Sequence, residues 1–130
     1  MNAVLIVCLA VMMQAAPTVN PAAVLSGRWI STSIPPPGEA PMGPPSFVME
    51  TKGEKTIVTF EGRSPLEAVV FAAPSAKAFP AMILRRPTGP GVTELTVIRA
   101  VSANEVTVEV LFERSAGRSF YYAETFKKAK

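Results

Sequence analysis

The side chains able to move a proton or hold a charge in this 130-residue chain are ten Glu, six Lys, seven Arg and two Tyr, with neither His nor Asp anywhere. That absence removes whole classes of chemistry. A serine or cysteine nucleophile has no imidazole to take its proton, so Ser-His-Asp and Cys-His catalysis are excluded. Zinc sites built from His and Cys fall with them, and calcium loops lose their usual Asp ligands. No G-x-G-x-x-G or Walker-type loop is present to cradle a phosphate. Two glutamates about 5–10 Å apart would suffice for glycoside hydrolysis. Ten scattered Glu always contain some such pair, so the pattern selects none. The expectation is a non-enzymatic protein with no catalytic residues, no metal and no cofactor.

One carboxylate stands apart. In RSFYYAETFK, Arg118 to Lys127, strand alternation places Phe120, Tyr122 and Glu124 on one face. If that face is the interior, Glu124 needs a partner or an altered pKa. Glu124 is therefore the first candidate for a polar ligand contact. Arg85 and Arg86 are adjacent, so on a strand they point to opposite faces and do not form a joint anion site. The net charge of +3 is mixed along the chain, and only the terminal KKAK (Lys127, Lys128, Lys130) forms a basic cluster. Three charges on a tail read as a solvating end, not a nucleic-acid site.

The elements that must position these residues are strands. From Gly27 onward, β-prone runs alternate with turn signals about every 8–14 residues, close to the spacing of an all-β sandwich or barrel. The runs are Arg28–Ile34, Phe47–Thr51, Thr56–Glu61, Leu66–Ala72, Ala81–Arg86, Thr93–Val101, Glu105–Arg114 and Arg118–Lys127. Lys52-Gly53-Glu54-Lys55 is a hairpin signal, and TGPG, Thr88 to Gly91, closes the Ala81 run. In Glu105–Arg114, Val106, Val108, Val110 and Phe112 share one face, the mark of a half-buried strand. LEAVVFAAPSAKAF, Leu66 to Phe79, has room for a turn or two of helix. The fold expected is an eight-stranded antiparallel meander closing into a small up-and-down barrel, with a β-sandwich as the alternative.

The first segment, MNAVLIVCLAVMMQAAP, has an unbroken apolar run from Ala3 to Met13 followed by Ala15 and Ala16. The run is shorter than the roughly 20 residues a spanning helix needs, and it reads as a signal peptide over residues 1–16. Residues 17–26 form a lead-in and 27–130 one domain. Cys8 is the only cysteine, so the mature chain has no disulfide. Export without disulfides suits a bacterial periplasmic or extracellular protein. No membrane span remains once the leader is removed.

Leu25-Ser26-Gly27-Arg28-Trp29 resembles the start of the first barrel strand of lipocalins and avidin-like proteins, where a G-x-W motif sets Trp at the closed end. The wider pattern is similar to small exported bacterial lipocalin-like barrels that begin G-[KR]-W, carry a Pro-Met-Gly element (Pro41-Met42-Gly43) and end in an aromatic strand followed by lysines. The resemblance implies a basic residue from a late strand over Trp29, with Arg118 or Arg114 as candidates by position. It does not extend to biotin, because avidin's further tryptophans are absent.

The stretch SIPPPGEAPMGPPSF, Ser33 to Phe47, holds six prolines and two glycines in fifteen residues. Too little chain precedes it to make a second domain, so it is not an interdomain linker. It is expected as an eleven-residue loop, Pro35–Pro45, between the first two strands, arching over the barrel mouth as a lid. The leading functional expectation is a barrel binding an apolar small molecule inside, with Trp29, Tyr122, Glu124, Pro41 and Met42 as ligand contacts. The alternative is a protein-interaction module, or an inhibitor of a secreted enzyme, acting through the Pro-rich loop 35–45. An enzyme using Glu and Tyr ranks third.

Overall fold

The computed structural model describes residues 20–71, 79–114 and 120–130, and of Phe120 and Tyr121 the backbone alone. The expected leader, the helical turn after Phe71 and Arg118 lie outside those residues. Strands β1 (Gly27–Ser31), β2 (Ser46–Lys52), β3 (Lys55–Phe60), β4 (Leu66–Glu67), β5 (Val69–Phe71), β6 (Ala81–Gly89), β7 (Val92–Ser102), β8 (Glu105–Arg114) and β9 (Phe120–Lys128) follow a short 3-10 turn at Ala23–Leu25. They form one sheet in the order β4-β3-β2-β1-β9-β8-β7-β6-β5, with every pairing antiparallel. Chain neighbours are sheet neighbours except at β4 and β5, and β1 joins β9. The two terminal strands of the sheet, β4 and β5, are separated in sequence only by Ala68, so the sheet bends round into a nearly closed up-and-down barrel. A sandwich would need two sheets, and the described residues form one.

The count is nine strands, not the eight expected, and the difference lies at this seam. The run Leu66–Ala72 reads as one strand because its apolar character is continuous. In the fold its first half pairs with β3, through Ile57 opposite Glu67, and its second half with β6, through Val69 opposite Ile83. Ala68 is buried between the halves, and its N–H donates to the Thr56 carbonyl at 2.9 Å. The segment crosses from one partner to the other and cannot keep one ladder. A second correction concerns β6, which runs through Pro87 to Gly89, past the expected stop at TGPG. A register shift between Pro87 and Gly89 lets the strand absorb a residue that cannot donate to the ladder. The turn is then Pro90-Gly91 alone. At the β2–β3 hairpin, Gly53 takes φ 63°, the sign that a two-residue II′ turn demands at its first central position.

Alternation fills the interior. Met49, Val58, Phe60, Met82, Leu84, Ile98, Val106, Val108 and Val110 are buried, while Val48, Glu50, Arg85 and Arg99 on the opposite faces are exposed. Phe47 is the hub of an aromatic group. Its ring stacks on Trp29 at 6.1 Å and meets Phe60 and Phe126, each at 5.1 Å. Such offset and edge contacts add to the large area these rings bury.

The lead-in seals one end. Ala22 and Leu25 are fully buried, and Asn20 straps this segment to the hairpin through Thr56 Oγ1 at 3.1 Å. Trp29 Nε1 donates to the Leu25 carbonyl at 2.9 Å, which satisfies the indole inside the core. The basic residue over Trp29 is Lys128, from the last strand. Its Nζ lies 5.7 Å from the indole ring centroid and donates to the Val24 carbonyl at 3.1 Å. Arg114 sits at the far end of β8, opposite Val92, and does not reach the indole. Lys128 is thus a structural residue and not a solvating tail. Gly27 makes the corner possible: its φ is 136°, and a Cβ there would meet Lys128 Cε at 2.9 Å.

Gly27→Ala is therefore expected to cost about 1–3 kcal/mol, from the positive φ and the displaced lysine together. Val48→Ala, on an exposed outer face, should stay within about 0.5 kcal/mol of the parent protein. Urea unfolding of the two variants checks the contrast.

Candidate functional site

The opposite end of the barrel is polar and covered. Between β1 and β2 the chain runs from Thr32 to Pro45 as a loop pinned at both ends. Ser31 N–H donates to the Pro45 carbonyl and Thr32 N–H to the Thr125 carbonyl, both at 2.8 Å. The loop crosses the mouth close to Tyr122: a Cβ added to Gly43 would lie 2.7 Å from the phenol oxygen and 3.2 Å from two ring carbons. Glycine at position 43 is what lets the backbone settle on that ring. The loop is a lid in contact with the interior.

Beneath it lies a charged cluster that no continuous motif announces. Glu94, on the inward face of β7, is 4% exposed. Arg63, from the turn after β3, donates from Nη1 to both Glu94 oxygens at 2.8 Å. Thr96 adds a longer hydrogen bond to the same carboxylate at 3.4 Å. Burial of an unpaired carboxylate is costly, so Arg63 is what permits Glu94 to sit there. Register carries the row on across the sheet: Thr96 faces Val110, and Val110 faces Tyr122. One step further along β9, Glu124 is 9% exposed and accepts from the Ser31 hydroxyl at 3.4 Å. Among the described residues no Lys or Arg forms an ion pair with Glu124. Among the described residues the cluster of Arg63, Glu94 and Glu124 thus holds two carboxyl groups and one cation, and the cation is paired with Glu94.

Burial first, and then the neighbouring Glu124 carboxylate, push the Tyr122 phenol above its ordinary range; Arg63 opposes the shift and Glu94 adds to it. A phenol held protonated serves as a hydrogen-bond donor, not as a base. The same cluster does not suit hydrolysis. Glu94 has both oxygens held by Arg63, and the cavity it shares with Tyr122 and Glu124 is only about 10 Å³, room for one water at most. Beside this cluster the described side chains leave no larger space for the apolar guest expected inside.

A larger hollow of about 180 Å³ lies between the lid and β9. Ile34, Pro35, Pro36, Pro41, Met42 and Ala123 give it apolar walls, while among the described residues Glu39 and Glu124 are its only ionisable ones. Glu124 borders both this hollow and the small inner cavity. Of the residues expected to contact a ligand, Glu124, Pro41 and Met42 thus meet at one place, and Tyr122 is next to it beneath Gly43. Trp29 is not with them: it is fully buried against Phe47 and lines neither space. Arg63 and Glu94 were missed. Glu94 is in phase with the buried Ile98 along β7, which is a legible signal, but the equally apolar Leu95 and Val97 obscure which face turns inward. Arg63 lies in a turn, where no periodicity specifies direction. Arg85 is exposed, and Arg86 turns to the Ser64 carbonyl at 2.7 Å, so the two do not cooperate. Among the described residues no group of three or more Cys, Asp or Glu is placed to hold a metal, and no helix is long and apolar enough to cross a membrane.

Comparison with protein-family models, with curated proteins and with solved structures gives no match. The class defined by the fold and the site is accordingly a structural one: a nearly closed antiparallel barrel, sealed at one end and lidded at the other.

Two measurements check this site. Arg63→Met should destabilise by about 3 kcal/mol, the low end for a broken buried pair because Arg63 remains 32% exposed. Arg63→Met with Glu94→Leu should recover part of that loss, since no orphaned charge remains. The second test concerns pH. A phenol whose folded pKa lies above its unfolded value of about 10 contributes stability that is complete below pH 10 and is lost as pH rises through the folded pKa. Tyr122→Phe is expected to lessen the alkaline loss of stability above pH 10, followed by denaturant midpoints at successive pH values.

Proposed function

We propose that this chain is an exported, non-enzymatic binding protein, a small lipocalin-like barrel whose ligand site is the hollow at the mouth, beneath the loop Pro35–Pro45. The observation that carries the reading is Glu124, a buried carboxylate with one long hydroxyl hydrogen bond among the described residues, placed where the lid hollow meets the interior. Buried charges without ion-pair partners cost stability, and such costs concentrate at functional positions. The lipocalin-like assignment is supported by Gly27 and Trp29 at the sealed end and by a late-strand cation, Lys128, over the indole. Export, to a periplasm or the extracellular space, rests on the apolar leader alone. The hollow is smaller than a drug-sized pocket, so the ligand is small or only partly enclosed.

A second reading has its own observation. Ile34 is 92% exposed and Met42 58%, both on the lid, and large apolar side chains held in water on a proline-stiffened loop suit a protein contact.

An NMR screen of neutral, anionic and cationic small amphiphiles should place amide shifts at residues 33–43 and 122–124; shifts confined to the sealed end, or none with any probe, would sink the first reading. For the second, removing Pro36–Pro44 should abolish capture of a protein from the producing cells, and capture that survives the deletion disposes of it.

A further inference from the structure

Resting on the reading of the lid hollow as the ligand site, we infer that its ligand is a small amphiphilic amine, with its ammonium group on Glu124 and its hydrocarbon portion against the lid. The walls supply the hydrocarbon preference. Ile34, Pro35, Pro36, Pro41 and Met42 present carbon to the hollow, and Met42 is an adaptable contact for an unbranched chain. Charge supplies the rest. Among the described residues the two ionisable ones on this hollow, Glu39 and Glu124, are both carboxylates, and no Lys or Arg lines it.

The two carboxylates are not equivalent. Glu39 is exposed on the outer part of the lid, where water screens it. Glu124 is nine-tenths buried, and among the described residues its one hydrogen bond, from Ser31, is long at 3.4 Å. A carboxylate held out of water gains most from a cation that brings charge and N–H donors together. The Ser31 hydroxyl also accepts from Ser33 N–H at 3.2 Å, so the residue that holds Glu124 also shapes the start of the lid. An anionic ligand would meet two like charges at this wall. A neutral one would bring Glu124 no cation.

The cluster also explains why the amine stops at the hollow. Beyond Glu124 the inner cavity is about 10 Å³, and its other acid is already taken by Arg63. An ammonium group can reach the Glu124 oxygens, but a chain cannot follow it inward. The hydrocarbon must therefore lie back along Ala123 and the prolines.

The test uses the full chain and three probes of equal length: hexylammonium, 1-hexanol and hexanoate, each followed by amide shifts and calorimetry. Hexylammonium is expected to shift residues 33–42 and 123–124 and to bind about tenfold or more tightly than 1-hexanol, with hexanoate weakest. Glu124→Gln should bring hexylammonium close to 1-hexanol, while Glu39→Gln should change it by less than about threefold. Equal binding of amine and alcohol in the unaltered protein, or an unchanged amine affinity in Glu124→Gln, overturns the inference while leaving the hollow as a site. No shift at the hollow with any of the three overturns the site reading itself. The amine–alcohol comparison needs no variant, so it decides even if Glu124→Gln misfolds.

Discussion

The seam at Ala68 is the constraint from which the rest follows. One short segment, Leu66–Phe71, must serve two strands that are far apart in sequence, β3 and β6, and it does so by changing partner in mid-course. Once that link is made, the sheet has an inside. Alternate residues of the long strands then belong to an enclosed space of limited volume, and at the seam Ile57 and Val58 of β3 and Ala81, Met82 and Ile83 of β6 find ladder partners. Small side chains suit the crossing. Ala68 is buried there and keeps its N–H bonded to Thr56, so the change of partner leaves no orphaned donor at that point.

An interior so made has to be filled, and the two ends are filled differently. Around Phe47 the filling is aromatic and complete: Trp29, Phe60 and Phe126 touch it, and the Ala22–Leu25 plug closes over Trp29. Toward the lid the filling is charged. Glu94 and Arg63 satisfy each other, whereas Glu124 is left with a hydroxyl. Hydrophobic residues of similar volume in place of Arg63 and Glu94 would often be neutral or stabilising. Stability alone does not account for three ionisable groups at one end of the barrel, and the proposed recognition at that end would.

Strand type and order were legible because the physical signal is local. Val106, Val108 and Val110 alternate with Thr107 and Glu109, and β8 begins and ends where that pattern does. Gly53 announced its hairpin for the same reason. What was illegible depended on contacts distant in sequence. Nothing within Leu66–Phe71 shows that it changes partner, because Leu, Val and Phe suit either neighbour. Pro87 reads as a stop, and only the bulge opposite β7 makes it acceptable within a strand. Lys128 looks like a soluble end until Trp29 is brought beneath it, about 100 residues away in sequence. Glu124 was legible by phase alone, since it shares a face with Tyr122. Its partner, Ser31, lies on another strand and carries no mark in the sequence. The G-x-W motif sets Trp29 at the closed end, and there it packs on Phe47 away from the lid hollow.

The lid's composition bears on how such a site would work. Six of the fourteen residues from Thr32 to Pro45 are prolines, which carry no N–H and so need no hydrogen-bond partner as they cross above the barrel. Within the loop one backbone hydrogen bond is formed, from Glu39 N–H to the Pro36 carbonyl, and the ends are tied to Ser31 and Thr125. The loop therefore holds its course through restricted dihedrals and two anchors, without a secondary structure of its own. A segment of this kind loses little entropy when something binds beneath it, because few conformations were open to it beforehand. It also has little capacity to fold around a guest. Gly43 sits against Tyr122 in the structure as it stands, so the underside of the lid is already shaped, and recognition there depends on fit to an existing hollow more than on closure.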